Sequence, residues 1–364
     1  MGGTDPIRVL VVDDQAFYRR VLSEAVARTA GMVLSGTAPT GEIALRSLCI
    51  ENVDVVLLDA SMPEMDGLDT LKRIRTEFPE VSVVMISGNS VEQARTTVRA
   101  LASGAVDLIP KPEKGSLTAG MDKLEKGLAE LAEMMSLRSG TAQGTFPRDL
   151  PTPTQRYRRR MGKAKTVDVH GQFEMVIIGV SAGGPRALER VIPGLPAAIR
   201  VPILVVQHMP PHFTSSLAEY LRERSEVDVR EARDDSVVES GRVLIAPGGH
   251  HMMVEPGPGQ TIRIRLDDGP PVNSCRPSVD VLCRSVARCV PGAILAVILT
   301  GMGADGAQGV ALLKQKGCYC IAQSEQTCAV YGMPRAVIER GLSNETADLD
   351  KVAERIGELT GNRA

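Results

Sequence analysis

Ile7-Arg8-Val9-Leu10-Val11-Val12-Asp13-Asp14 is the stretch that decides how the first half of this chain folds. Five of its first six residues are apolar. A run that short and that continuous reads as a strand buried on both faces. It stops at two acids, and the amphipathic segment Ala16–Arg28 follows. A buried strand that ends in carboxylates and turns into a helix is a unit of a parallel α/β sheet, whose ligands bind beyond the carboxyl ends of the strands. The same unit recurs. Residues 32–36, 53–58, 81–86 and 106–109 read as further buried strands, and 68–76, 91–102 and 117–135 as helices. Five strands alternating with helices predict a doubly wound parallel sheet over residues 1–136.

Over residues 137–172 the periodicity is lost, and Pro147, Pro151 and Pro153 stand among Gly, Ser and Thr. That composition is a linker. Its part 156–165 carries six basic residues and no acid. A solvated linker is the plain reading, and a docking site for an acidic partner or lipid head group is the alternative. An alternating pattern then resumes over residues 173–364. Residues 175–178, 203–207, 242–246 and 294–299 are strand candidates, and 185–191, 214–224, 279–288 and 307–316 are helix candidates. This second α/β domain has room for six or seven strands and is expected to be Rossmann-like.

Composition narrows the function. The formal net charge of -2 gives no overall pull toward nucleic acid. No apolar run is long enough to insert in a membrane, and the N-terminus lacks a secretory signal, so a cytoplasmic location is expected. Seven cysteines without a C-x-x-C pair argue against a disulfide framework and against zinc. His250 and His251 are adjacent and point apart in extended chain, which makes them poor joint ligands.

Three acids belong where the first sheet gathers its strand ends: Asp13, Asp14 and Asp59. Converging carboxylates hold a hard cation such as Mg²⁺ through oxygen. With the charge screened, one of them can attack a phosphoryl donor and form an acyl phosphate. Ser87, at the end of the fourth strand, suits a phosphoryl oxygen, and Lys111, after the fifth, suits its charge. A cis Lys111–Pro112 bond is expected to aim the lysine inward. Each acid alone reads as a helix cap. The set of Asp13-Asp14, LLDASMPEMDG around Asp59, Ser87 and Lys111-Pro112 resembles the receiver domain of bacterial response regulators. The resemblance implies a flavodoxin-like fold and phosphorylation of Asp59. It also implies Mg²⁺ on Asp14, Asp59 and the Ser61 carbonyl, assisted by Asp13. Receivers usually carry an aromatic residue where this chain has Leu108.

In the second domain Gly179-Val180-Ser181-Ala182-Gly183 follows a strand, and Gly184-Pro185 opens a helix. A serine at such a corner is held outward before a helix N-terminus. A phosphate-cradling loop or an ordinary tight turn is the competing reading. His208 follows the strand 203–207, and Asp305 follows the strand 294–299. All three therefore lie at carboxyl ends of strands, as a serine–histidine–aspartate triad requires. The Met302 N–H, among glycines, is the candidate oxyanion donor, with the Ala182 N–H beside it. His208 alone reads as a capping or core residue, and Asp305 as the cap of the helix after it. His212 is the rival base, expected on the first turn of the next helix.

The segments GVSAGGP, VQHMPPHFT, IAPGGHHM, RPSVDVL, LTGMGADGAQG and IAQSEQTCAVYGMP resemble the catalytic domain of chemotaxis protein-glutamate methylesterases. The resemblance implies Ser181 as nucleophile, His208 as general base and acid, and Asp305 as its partner, with no cofactor for the esterase. It implies methylated chemoreceptor helices as substrate, deamidation of receptor glutamines as a second activity, and a chemotaxis histidine kinase as phosphodonor. An unphosphorylated receiver is expected to restrain the esterase. A receiver-controlled esterase for another substrate, or a phosphorylation-dependent binding protein, are the alternatives.

Overall fold

The structure, a computed structural model, describes residues 5–63, 65–112, 117–138 and 173–361, without the side chains of 117–119 and 137–138. The basic stretch 156–165 lies outside them. The chain forms two compact units, Met1–Gly144 and Thr145–Ala364.

The first unit is a five-stranded parallel sheet built from β1 (Ile7–Val12), β2 (Met32–Ala38), β3 (Val55–Asp59), β4 (Ser82–Ser87) and β5 (Asp107–Pro110). The strand order is β2-β1-β3-β4-β5, so the direction of winding reverses between β1 and β3. The helices are α1 (Ala16–Arg28), α2 (Gly41–Leu48), α3 (Gly67–Glu77), α4 (Val91–Ala102) and α5 (Leu117–Arg138). α1 packs on α5, whereas α2, α3 and α4 pack in series. α2 was not anticipated from the sequence. It has 8 residues and only Ala44, Leu45 and Leu48 as buried side chains beyond Gly41, too short a stripe for the period to register. The caps are local chemistry: Thr40, Asp66 and Ser90 each accept a backbone N–H three residues on.

The second unit holds seven parallel strands: β6 (Phe173–Val180), β7 (Ile203–Gln207), β8 (Asp228–Glu231), β9 (Arg242–Ile245), and then β12 (Ala293–Ile298), β13 (Tyr319–Gln323) and β14 (Glu345–Ala347). Between them in sequence, β10 (His251–Pro256) and β11 (Ile262–Asp267) form a separate antiparallel pair. That pair adds to the purely parallel architecture expected. The helices are α6 (Gly184–Val191), α7 (Phe213–Arg222), α8 (Val279–Cys289), α9 (Ala307–Lys314), α10 (Met333–Glu339) and α11 (Leu349–Leu359). The order β14-β13-β12-β6-β7-β9-β8 places the reversal between β6 and β12. Leu282 and Val286 of α8 and Val310 of α9 are wholly buried against Ile177, Val206 and Ile298 of the sheet. Truncating a leucine in such a layer costs about 2–5 kcal/mol, so the strand ends above it rest on a stiff base.

All seven cysteines are free. Burial raises the thiol pKa of Cys283, Cys318 and Cys320, which makes them unreactive. No helix among the described residues is long and apolar enough to cross a membrane. The cis peptide among the described residues is Arg276–Pro277. The expected cis bond at Lys111–Pro112 is not found, because Lys111 reaches its partners without it.

Candidate functional site

β1 and β3 are neighbours, with Val12 opposite Leu58, so Asp13 and Asp59 leave the ladder side by side. Asp13, Asp14 and Asp59 each bring a carboxylate oxygen within 4.8 Å of the others. Lys111 Nζ lies 2.7 Å from Asp13 Oδ2 and 2.8 Å from Asp59 Oδ2. Burial pushes the Asp59 carboxyl up to about 6, against the pull of Lys111. Burial also opposes the Lys111 charge, but the two acids outweigh it and the net shift is upward. Asp14 Oδ1 is buried without a hydrogen-bond partner. Three acids facing one ammonium, with an orphaned carboxylate oxygen among them, fit a hard divalent cation.

Around this cluster the chain is pinned. Arg19 Nη1 donates to the carbonyls of Asp13 and Asp14 at 2.9 Å each. The Ser61 N–H donates to Asp59 Oδ1 at 3.2 Å. Ser87 is wholly buried and its hydroxyl accepts from Thr97 Oγ1 at 2.8 Å. Tyr18, which sequence reasoning passed over, lies over Lys111 Nζ with 4.5 Å to the ring centroid. Its hydroxyl donates to the Pro112 carbonyl at 3.4 Å.

In the second sheet Ser181, His208 and Asp305 follow β6, β7 and β12, three adjacent strands at the reversal of winding. The His208 N–H donates to Val180 O at 3.1 Å, and the Ser181 N–H to Thr300 O at 3.0 Å, so the three strand ends are tied across. Gly183 stands at φ +74°, and a Cβ there would meet Ala329 Cβ at 2.5 Å. The corner therefore requires glycine before α6. A Cβ on Gly301 would meet Ser181 Cβ at 2.7 Å, so only glycine lets the loop after β12 approach the serine.

His208 Nε2 and Asp305 Oδ2 are 2.9 Å apart. The nitrogen left for a serine proton is therefore Nδ1. No hydrogen bond joins Ser181 Oγ to the ring among the described residues; such contacts commonly tighten only with substrate. Asp305 does not cap α9, whose N-cap is Gly306. Instead its carboxylate accepts from Asn273 Nδ2 at 2.8 Å, Ser278 Oγ at 2.8 Å, Val279 N–H at 2.7 Å and Asp280 N–H at 3.2 Å, besides His208. Burial acts to raise its pKa, but these donors, His208 first, hold it at about 2. Burial likewise opposes the imidazolium of His208, and the Asp305 carboxylate with the nearby Cys275 sulfur turns the net shift upward. Neither the Ala182 nor the Met302 N–H donates within the described protein. His212 is the N-cap of α7 at φ 71° and bonds neither Ser181 nor Asp305 among the described residues.

Several supporting residues were not legible in the sequence. Gln207 Nε2 donates to the carbonyls of both Ser181 and His208, at 2.9 and 3.1 Å, from a side chain 1% exposed. Thr300 Oγ1 donates to Ala182 O, and Gln323 Oε1 accepts the Thr300 N–H. Asn273, Ser278 and Asp280 surround Asp305. The only signal for Ser278 and Asp280 was the run RPSVDVL, which carries no hint of its partner, and Asn273 lies outside it.

A family model described as CheB methylesterase matches residues 176–356, and one described as response regulator receiver domain matches residues 9–120. The protein-glutamate methylesterase/protein-glutamine glutaminase of Desulfotalea psychrophila is 38% identical over 354 residues, covering 96% of this chain and 97% of that protein. The protein of the same description from Archaeoglobus fulgidus is 43% identical over 351 residues, covering 96% and 97%. Among solved structures, the CheB methylesterase catalytic domain of Thermotoga maritima is 42% identical with a TM-score of 0.50, covering 51% of this chain and 98% of that chain.

Proposed function

The chain belongs to the CheB methylesterase family, with a receiver domain ahead of the hydrolase domain, and on that premise we propose that it hydrolyses glutamate γ-methyl esters on chemoreceptor helices under control of phosphorylation at Asp59. The supporting observation is the contact between His208 and Asp305 at the strand end next to the Ser181 elbow. Ser181 Oγ attacks the γ-carbonyl while His208 Nδ1 takes its proton. The oxyanion meets the N–H groups of Ala182 and Met302. The intermediate collapses, His208 returns the proton, and methanol leaves. Water then attacks the acyl-enzyme with His208 again as base, restoring Ser181 and giving glutamate. With a glutamine side chain the leaving group is ammonia, and the rest is unchanged. Asp305, held at about 2, stays charged throughout and stabilises the imidazolium. No cofactor enters this chemistry.

In the receiver, Asp14, Asp59 and the Ser61 carbonyl, assisted by Asp13, are the proposed Mg²⁺ ligands; the ion, when bound, screens the charge so that a phosphoryl group can approach. Asp59 then becomes the acyl phosphate, Lys111 pairs with its charge, and Ser87 hydrogen-bonds it. The proposed donor is a chemotaxis histidine kinase, and the reaction belongs in the cytoplasm with the receptor's cytoplasmic helices. The test is methanol release from membranes carrying methylated receptor. Ser181→Ala should lower it by about 10⁴–10⁶-fold with an unchanged fold by circular dichroism. Near-normal release from folded Ser181→Ala protein rejects the reading.

A further inference from the structure

Asp305 is gripped from a side that the triad chemistry does not use. Val272 and Cys275 close a tight turn, exchanging backbone hydrogen bonds of 3.0 and 2.9 Å. The two residues between them, Asn273 and Ser274, stand at φ 52° and 63°. Left-handed backbone at both central positions is a conformation that glycine and asparagine adopt most easily.

A turn needs nothing more of Asn273, yet its side chain does more. Nδ2 donates to Asp305 Oδ1 at 2.8 Å and to Asp280 Oδ2 at 2.9 Å. An amide NH₂ has two hydrogens, so each goes to a different acid. Asp280, on the first turn of α8, is wholly buried and takes no part in the triad. Its other oxygen accepts the Gly309 N–H at 2.6 Å, and no lysine or arginine pairs with it among the described residues. A buried carboxylate without a cation is costly unless donors surround it. The acid and the amide therefore hold each other, and Asp280 is a fixed anchor under an otherwise exposed turn.

We propose that Asn273 is a positioning residue of the esterase. Anchored on Asp280, its amide fixes the Asp305 carboxylate so that Oδ2 is presented to His208 Nε2. Losing it leaves Oδ1 held only by Ser278 Oγ and the longer Asp280 N–H bond, which loosens the carboxylate about its Cβ–Cγ bond, and the imidazole with it. This inference rests on the hydrolase reading of Ser181, His208 and Asp305.

The test uses the full-length protein. Asn273→Gly suits the left-handed backbone and removes both donors. It should lower kcat for methanol release by about 10–100-fold, the value of one charge-assisted hydrogen bond, with KM within about twofold. In protein labelled with ¹⁵N-histidine, the low-field ring N–H of His208, assigned by its loss in His208→Gln, should shift or broaden. Should Asn273→Gly fold poorly, Asn273→Asp is nearly isosteric, keeps the turn and replaces the donors by a third acid; its kcat should fall at least as far. Wild-type kcat with an unmoved ring signal in whichever of the two folds overturns the proposal, because a turn former alone predicts that result. A Ser181→Ala protein that keeps its activity instead rejects the hydrolase reading, and the ring signal in Asn273→Gly still decides whether Asn273 orders the imidazole.

Discussion

Asp59 ends β3 of the first sheet and Asp305 follows β12 of the second, each beside the point where winding reverses, and they are only 1% and 2% exposed. Burial alone would push both upward. Asp59 does rise, to about 6, whereas Asp305 falls to about 2. The difference lies in the neighbours. Asp59 faces two other acids, shares Lys111 with one of them, and accepts a single long backbone bond from Ser61. Asp305 accepts five hydrogen bonds and faces no acid that lacks a donor of its own. One carboxylate is left under-satisfied, as the proposed cation and phosphoryl site requires. The other is locked as a permanent charge. The same residue at the same topological address has its pKa raised in one sheet and lowered in the other.

The strongest way to break this comparison is to neutralise each acid in turn. Asp305→Asn should lower kcat by about 10⁴-fold, since the histidine loses its charge partner and its tautomer. Asp59→Asn should leave the unstimulated esterase rate unchanged while abolishing the acid-labile label from a small phosphodonor. A large loss of unstimulated rate in Asp59→Asn, or label surviving in it, would contradict the separation of roles.

The coupling between the two units comes next in size. A small phosphodonor with Mg²⁺ should raise full-length methanol release by about 5–150-fold, the usual range of coupling between sites. It should leave a fragment beginning at Phe173 unaffected, and that fragment should outpace the unphosphorylated chain. A fragment no faster than the unphosphorylated chain would turn the receiver from a restraint into an activator.

The pH profile sharpens the contrast further. The base must be neutral to act, and His208 is raised above its ordinary 6.5 by Asp305. kcat/KM should therefore rise with pH, by about tenfold per unit below the midpoint, and the midpoint should lie above about 6.5. Asp305, held at about 2, adds no inflection in the working range. An acid limb centred below about 6 would remove His208 from the role of base. The smallest effect is expected at His212, which stands at the N-cap of α7 without a side-chain capping bond. His212→Gly tolerates the φ of 71° and should change the rate by no more than about twofold.

Much of this was readable in advance because it depends on short-range chemistry. The apolar runs that became β1, β6, β7 and β12 are buried strands whatever surrounds them, and the acids, serine and histidine at their ends reach one edge of each sheet by topology alone. The half-buried pair β10–β11 and the short α2 were not placed in advance, nor were the short strands β8, β13 and β14 and the helices α10 and α11. What the amino-acid order determined by itself is therefore the parallel α/β character of both halves and the chemical type standing at the strand ends of the two candidate sites. Tertiary structure alone decided the electrostatics. Lys111 meets Asp13, Thr300 meets Ala182, and Asn273 spans Asp280 and Asp305. Apart from Asn273 with Asp280, seven residues on, those contacts join residues far apart in sequence, and a hydrogen bond acts over about 3 Å. No local pattern encodes which distant donor arrives at that distance, so the tuning of each carboxylate exists only once the sheets have closed.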